Sequence, residues 1–103
     1  MRAIRLVEAL SKGKTADVLG RQLLRAATSV GANYRSACRA KSPADFIAKM
    51  GIVEEEADES IYWMELLVES RLVQKDEIDD LLQEADEIVA ITVSSIKTSR
   101  KRK

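Results

Sequence analysis

Small side chains dominate one stretch of this chain that otherwise carries a helical pattern of apolar residues. Between Arg25 and Arg35, five residues are Gly, Ala or Ser. The distance between two packed helices depends on the size of the side chains at their contact, so a helix with one narrow side lets a neighbour come close. The stretch therefore predicts a helix that meets other helices rather than one built around a reaction centre.

The composition favours long helices in a single domain. Hydrophobic residues make up 46% of the 103 residues and charged residues 33%, while only four Gly and one Pro are present to interrupt helices. A chain of this length can bury one modest core. No strand-like alternation and no internal repeat appears, so we expect an all-α protein.

Turn residues and apolar periodicity place the first three helices. A short helix is expected at about residues 3–10, and Thr15 is the expected N-cap of a second helix that runs to about Ala40. Ser42 and Pro43 then predict a restart, with Ser42 as N-cap and Pro43 as the first helical residue.

The third helix is expected to end near Ser70 and the fourth to span about residues 76–95. Short connections favour antiparallel neighbours, and the predicted fold is an antiparallel up-and-down four-helix bundle. The bundle domain is assigned to residues 1–96 and a basic C-terminal tail to residues 97–103.

Helical spacing also predicts which side chains face the core. The second helix carries an apolar stripe that includes Leu23, Val30 and Tyr34, and Met50, Val53 and Ala57 lie on the core face of the third. Ile52 and Trp63 lie about 110° away from that face. This second apolar strip indicates either a wide bundle face that meets two neighbours or contact with another partner.

The charge distribution bounds the classes of function. The net charge is zero, but the last seven residues hold five basic side chains and no acid, which leaves 12 basic and 17 acidic residues in the body. A compact nucleic-acid-binding domain usually carries a basic face, and the acidic body is unlike one. The tail, with Lys97, Arg100, Lys101, Arg102 and Lys103, either contacts phosphates or is a frayed, solvated end.

Several residue types needed for common chemistry are missing from the sequence. There is no histidine, which removes the commonest general base and metal ligand. Cys38 is the only cysteine, so no intramolecular disulfide is possible and a reducing compartment is expected. No membrane-length apolar run and no signal peptide is visible. We expect a cytoplasmic, non-enzymatic protein with no cofactor and no membrane partner.

Four arginines form a row along the second helix: Arg21, Arg25, Arg35 and Arg39. Guanidinium groups match phosphate oxygens, so one interpretation is a track for RNA or another nucleic acid. The third helix carries an acidic row, Glu54, Asp58, Glu65 and Glu69, and the other interpretation is that the two rows pair within one subunit or between subunits.

Acidic residues on the third and fourth helices allow an enzymatic alternative. The pattern E-E-x-x-E at Glu55, Glu56 and Glu59, followed by E-x-x-D at Glu77 and Asp80, resembles the metal-binding pattern of all-α nucleotide pyrophosphohydrolases. In those enzymes carboxylates hold Mg²⁺ ions that bridge phosphates and activate water. A solvated helix face explains the same residues, because acids are frequent in this chain.

A further set of residues is expected to mediate contacts between helices or subunits. It comprises Ala27, Gly31, Asn33, Glu54, Asp58, Trp63 and Glu65.

The segments 22–35, 36–42, 45–52 and 55–67 together resemble the protein family encoded in intervening sequences of bacterial 23S ribosomal RNA genes. The resemblance implies an antiparallel four-helix bundle that assembles as a ring of five subunits, with no established enzymatic activity. A related accessory protein of diversity-generating retroelements binds reverse transcriptase and nucleic acid through a basic barrel. The resemblance thus implies a homopentameric scaffold for RNA, another nucleic acid or a protein partner.

Overall fold

The computed structural model describes residues 2–10 and 12–101, and this part of the chain consists of four α-helices with no strand. The helices are α1, Arg2–Glu8; α2, Lys14–Cys38; α3, Pro43–Glu69; and α4, Lys75–Lys101. The prediction of an all-α bundle is confirmed. The fourth helix continues to Lys101, so residues 97–101 of the basic tail are helical. None of these helices is both long and apolar enough to cross a bilayer.

The bundle has one incomplete corner. Helix α3 packs against α2 and α4, and α1 bridges α2 and α4 from the opposite side. Over the described residues, no Cα atom of α2 comes within 8 Å of a Cα atom of α4, as expected for diagonal helices. Because α1 has seven residues, it spans about 10 Å of a molecule that is 49 Å long. Most of the fourth corner is therefore open.

Two hydrophobic clusters fill the core along the length of the bundle. The cluster near α1 is built around Leu23, Met64, Leu67 and Ile78, each 1% exposed or less. The cluster at the other end comprises Ala37, Met50, Val53 and Ile96. On α3 the buried positions alternate in steps of three and four, which keeps them on the face between α2 and α4.

The predicted start of α3 is confirmed and that of α2 is wrong. The hydroxyl oxygen of Ser42 accepts a hydrogen bond from the backbone N–H of Asp45 at 3.0 Å, and Pro43 is the first helical residue. Helix α2 begins one residue before Thr15, with Gly13 at the N-cap position and no side-chain cap. The carbonyl oxygen of Gly13 accepts the first helical hydrogen bond, from the backbone N–H of Asp17 at 2.9 Å, so Thr15 is already inside the helix.

Backbone geometry at the α3–α4 connection ends one helix and starts the next. Arg71 has φ 61°, and the backbone N–H of Leu72 donates to the carbonyl of Leu67 at 3.1 Å, the bond of a Schellman motif. At the start of α4, the side chain of Glu77 accepts a hydrogen bond from the backbone N–H of Gln74 at 3.0 Å. This bond caps α4.

Burial agrees with the predicted stripes except at a few positions. Tyr34, which was expected to face the core, is 49% exposed, because no helix fills the corner beside α2 at its height. Ser60 and Leu67 are buried although they were not assigned to the core face of α3, and the hydroxyl of Ser60 donates to the carbonyl of Glu56 at 2.8 Å.

Candidate functional site

A polar cluster joins α2 to α3 on the outer side of the bundle. The guanidinium of Arg25 donates to Glu56 at 3.3 Å and also to Glu59. The indole Nε1–H of Trp63 donates to the same carboxylate of Glu59 at 3.1 Å. The hydrogen bond from Trp63, followed by the one from Arg25, lowers the pKa of Glu59 below its ordinary value of about 4.5. These bonds fix the two helices against each other.

The hydrogen bonds of this cluster bear on the hypothesis that a set of carboxylates holds Mg²⁺. The set is Glu55, Glu56, Glu59, Glu77 and Asp80. Two of these carboxylates are bonded to Arg25, and Glu77 caps α4. Ile78 lies between Glu77 and Asp80 and belongs to the same hydrophobic cluster as Leu67. Leu67 is eight residues after Glu59, a distance of about 12 Å along α3.

Among residues 2–10 and 12–101, no three Cys, Asp or Glu side chains are grouped so that they could hold a metal ion. The carboxylates that resemble the pyrophosphohydrolase pattern are therefore not brought together.

Pairing of the arginine row with the acidic row within one chain is wrong. Arg25 bonds Glu56 and Glu59, which do not belong to the acidic row, and no ion pair within the described residues involves Arg21, Arg35 or Arg39.

The two rows do not pair within the chain because of the way α3 is rotated about its own axis. Glu54 and Asp58 lie on the side of α3 that faces α4, where they line an open groove of about 620 Å³ with Val89 and Val93. The side that faces α2 carries Glu56 and Glu59 instead.

The predicted contact residues lie in several different environments. Ala27 and Gly31 line the open corner, and Trp63 packs against the core and bonds Glu59. The amide of Asn33 bonds the carbonyl and hydroxyl of Ser29 in its own helix rather than a neighbouring helix. At Gly31 an added Cβ would meet no atom within 4 Å, so this glycine is not needed for packing inside the chain. Asp58 and Glu65 are exposed, and Glu54 is half-buried.

Basic side chains from two segments that are far apart in the sequence lie at the same end of the bundle. Ala37 and Cys38 at the end of α2 share a cleft with Phe46 and with Ser99 near the end of α4. Residues 33–52 and 92–101, which form this end, contain seven basic side chains and one acid, Asp45. The basic side chains are Arg35, Arg39, Lys41, Lys49, Lys97, Arg100 and Lys101. Arg102 and Lys103 lie outside the described residues.

Lys41 and Lys49 lie at this end of the bundle although neither was predicted to bind nucleic acid, whereas Arg21 and Arg25, which were, lie away from it. Arg21 lies 18 residues before Arg39 on a helix, which separates the two by about 27 Å. Arg25 is held by two carboxylates. The sequence did contain a signal that Lys41 lies at this end. Lys41 comes just before the start of α3, and a short connection must place the end of α2 beside the start of α3. Arg39, Lys41, Lys97, Arg100 and Lys101 form the basic end of the bundle.

The open corner forms an apolar trough. It contains a cavity of about 230 Å³ that is lined by Arg2 and Ala3 of α1, Ala27 and Val30 of α2, and Ile88 of α4. One turn beyond Ile88, Ile91 is 56% exposed. Where α1 is present, it packs so closely on Gly20 that an added Cβ would lie 3.1 Å from Val7 and Leu10. The trough is thus the unfilled continuation of a helix–helix contact.

The fold defines a small all-α bundle protein whose distinctive surfaces are a trough, an arginine row and a basic end. The chain belongs to the 23S rRNA-intervening sequence protein family, whose model matches residues 1–94. It is similar to a protein of unknown function from the S23 ribosomal protein family of Bacteroides thetaiotaomicron, known from a crystal structure. That similarity has 36% identity and a TM-score of 0.86 and covers 93% of this chain and 89% of the other. No curated protein is similar to this chain.

Proposed function

We propose that this protein is a non-enzymatic scaffold that works as a homo-oligomer. The observation that carries the proposal is the open trough, because a single chain leaves apolar helix surface uncovered between α2 and α4. Ile52 and Tyr62 on α3 add exposed apolar area, at 41% and 54% exposure. Burial of apolar surface is the main favourable contribution to most protein association. Assembly of several copies covers surface that the monomer leaves in water.

The family resemblance implies five copies, and the proposed assembly is a pentamer. Light scattering on the purified chain at micromolar concentration tests it. The expected mass is about 58 kDa, five times the 11.5 kDa of one chain. A particle of 11.5 kDa at that concentration overturns the scaffold proposal.

A matched pair of variants connects the exposed apolar surface of α4 to assembly. Ile91 lies one turn beyond Ile88 of the trough and lines a second groove with Phe46, whereas Val18 lies on α2. Their exposures of 56% and 57% are nearly equal. Ile91→Lys is expected to reduce the oligomeric fraction, because a charge must then be desolvated at the interface. Val18→Lys is the control and is expected to assemble normally. Equal behaviour of the two variants contradicts a role for this part of α4.

A second function, binding of the nucleic-acid backbone, is favoured by the basic end. Arg39 and Lys41 lie at the end of α2, and Lys97, Arg100 and Lys101 lie on α4. The end of α2 and the end of α4 lie at the same end of the bundle, so these five positive charges belong to one region of the surface. Lys97 and Arg100 also line the groove that holds Glu54, Glu55 and Asp58. Lysine and arginine side chains bind phosphate oxygens, and the counterions that they release make such binding sensitive to salt.

Fluorescence anisotropy with a labelled single-stranded RNA tests this function. With five phosphate contacts on a single strand, affinity is expected to fall roughly 130-fold between 50 and 200 mM salt. A triple variant of the basic end, Lys97→Gln, Arg100→Gln and Lys101→Gln, is expected to weaken binding and to lower the salt slope. A control at the other end of the bundle, Arg5→Gln, Lys12→Gln and Lys14→Gln, changes the net charge equally and is expected to bind normally. Equal loss in both triples, or no binding at 50 mM salt, overturns this function.

The absence of catalysis is a separate expectation. Incubation with nucleoside triphosphates and Mg²⁺ is expected to release no pyrophosphate, because Glu56 and Glu59 are bonded to Arg25. Release that requires Mg²⁺ and is abolished by Glu56→Gln contradicts the non-enzymatic proposal.

A further inference from the structure

Two rows of charged side chains form no ion pair within the described part of this chain. The first is the arginine edge, defined by Arg21 and Arg35, which are exposed on α2. The second is the acidic ridge, defined by Glu54, Asp58, Glu65 and Glu69 on α3. Lys97 and Arg100 of α4 line the same groove as Glu54 and Asp58, but no ion pair within residues 2–10 and 12–101 involves a side chain of either row.

The two surfaces match in length. Arg21 and Arg35 are 14 residues apart on one helix, a distance of about 21 Å, and Glu54 and Glu69 are 15 residues apart on another, about 22 Å. Because the two rows lie on different faces of the bundle, one chain cannot bring them together. A second copy can present its acidic ridge to the arginine edge of the first.

A glycine beside the acidic ridge gives a second indication of close approach. Glycine inside a helix costs about 1 kcal/mol relative to alanine, so a helical glycine usually has a packing reason. At Gly20 the reason is α1, which would contact an added Cβ. Gly51 lines the groove of Glu54 and Asp58, and an added Cβ there would meet no atom within 4 Å. Gly51 therefore leaves room beside the ridge for a helix from outside the chain.

We propose that the arginine edge of one copy docks on the acidic ridge of the next copy. The contact joins two different faces, so it is heterologous, and repetition of it closes a ring or extends a chain. The charged rows select the partner and set the register, since exposed ion pairs by themselves add little affinity. The apolar groove beside the ridge, with Val89 and Val93, supplies surface that is buried on docking. The proposal rests on the homo-oligomeric function proposed above and names the faces that meet.

Charge reversal with a rescue arm tests the docking. The edge variant carries Arg21→Glu and Arg35→Glu, and the ridge variant carries Glu54→Lys and Glu69→Lys. Each is expected to associate at least roughly 100-fold more weakly than wild type, because like charges then face each other. The chain with all four substitutions restores opposite charges and is expected to assemble again. Circular dichroism confirms that each variant is folded.

A matched control and a glycine variant complete the experiment. Asp79→Lys with Asp86→Lys reverses two exposed charges on α4 and is expected to assemble as wild type does. Gly51→Leu is expected to keep or raise the thermal stability of the chain while it lowers the oligomeric fraction, because leucine favours helix but holds the partner away from the ridge.

The outcomes separate the two proposals. A monomeric wild type overturns the scaffold function itself. An oligomeric wild type whose edge, ridge and Gly51 variants assemble normally leaves the scaffold and overturns the docking of these two faces. The docking is also overturned if both reversal variants dissociate and the folded fourfold variant does not reassemble.

Discussion

The carboxylate of Glu59 accepts a hydrogen bond from the indole of Trp63, which lies one helical turn further along α3, at 3.1 Å. The same carboxylate is bonded by Arg25 of α2, so one ionised group connects two helices. Because both bonds favour the ionised form, the folded chain holds the pKa of Glu59 below its ordinary value of about 4.5.

The lowered pKa predicts how Glu59 contributes to stability as pH changes. The contribution is present above about pH 4.5 and is lost as the pH falls through the lower pKa of the folded state. Glu59→Gln is therefore expected to destabilise the chain at neutral pH and to approach wild-type stability in acid. Urea midpoints between pH 3 and pH 7 measure this difference. Glu55→Gln, which removes an exposed carboxylate of the same helix, is the control, and a pH-independent gap between wild type and Glu59→Gln contradicts the assignment.

The cap of α3 predicts a local loss of stability. Ser42→Ala removes the acceptor for the backbone N–H of Asp45 and is expected to cost about 1 kcal/mol. Ser42→Asp keeps an acceptor at the same place and is expected to remain within a few tenths of wild type. Thermal or urea unfolding of the two variants measures the difference, and equal loss in both is inconsistent with a side-chain cap.

The positive φ of Arg71 predicts a stabilising substitution. A non-glycine residue in the left-handed region costs about 1 kcal/mol, and Arg71 has φ 61° at the end of α3. Arg71→Gly is expected to raise the free energy of unfolding by up to about 1 kcal/mol, since glycine adopts this conformation without the steric cost. Ser70→Gly, one residue earlier and in the right-handed helical region, is the control and is expected to destabilise. Destabilisation by Arg71→Gly runs against the steric explanation.

The two glycines of α2 predict opposite responses to alanine. At Gly31 the space is free, and Gly31→Ala is expected to raise the free energy of unfolding by about 0.5–1 kcal/mol when measured on the monomer. At Gly20 the new methyl group lies 3.1 Å from Val7 and Leu10, so these side chains must move and the gain is smaller or is reversed. Urea unfolding at low protein concentration compares the two. A larger gain at Gly20 than at Gly31 means that α1 does not pack as described.

Much of the fold follows from local patterns in the sequence. Ser42 and Pro43 start α3 because a capping hydroxyl and a fixed φ act within one turn, whatever the rest of the chain does. Thr15 was misassigned because glycine can also occupy an N-cap position, which allowed α2 to begin at Lys14. The exposure of Tyr34 could not be read from its place on the apolar stripe, because it depends on how far α1 reaches along the bundle.

The sequence by itself determined the helices and the residues that each helix offers on its faces, because both depend on contacts within a few residues. It also marked the arginine row, the acidic row and the basic C-terminal residues. Only the tertiary structure decided which of these meet. The rotation of α3 gives Arg25 the carboxylates Glu56 and Glu59 and turns Glu54 and Asp58 towards α4, and the antiparallel arrangement brings Arg39 and Arg100 to one end. Such pairings depend on how the helices pack against each other, and helix periodicity does not specify that.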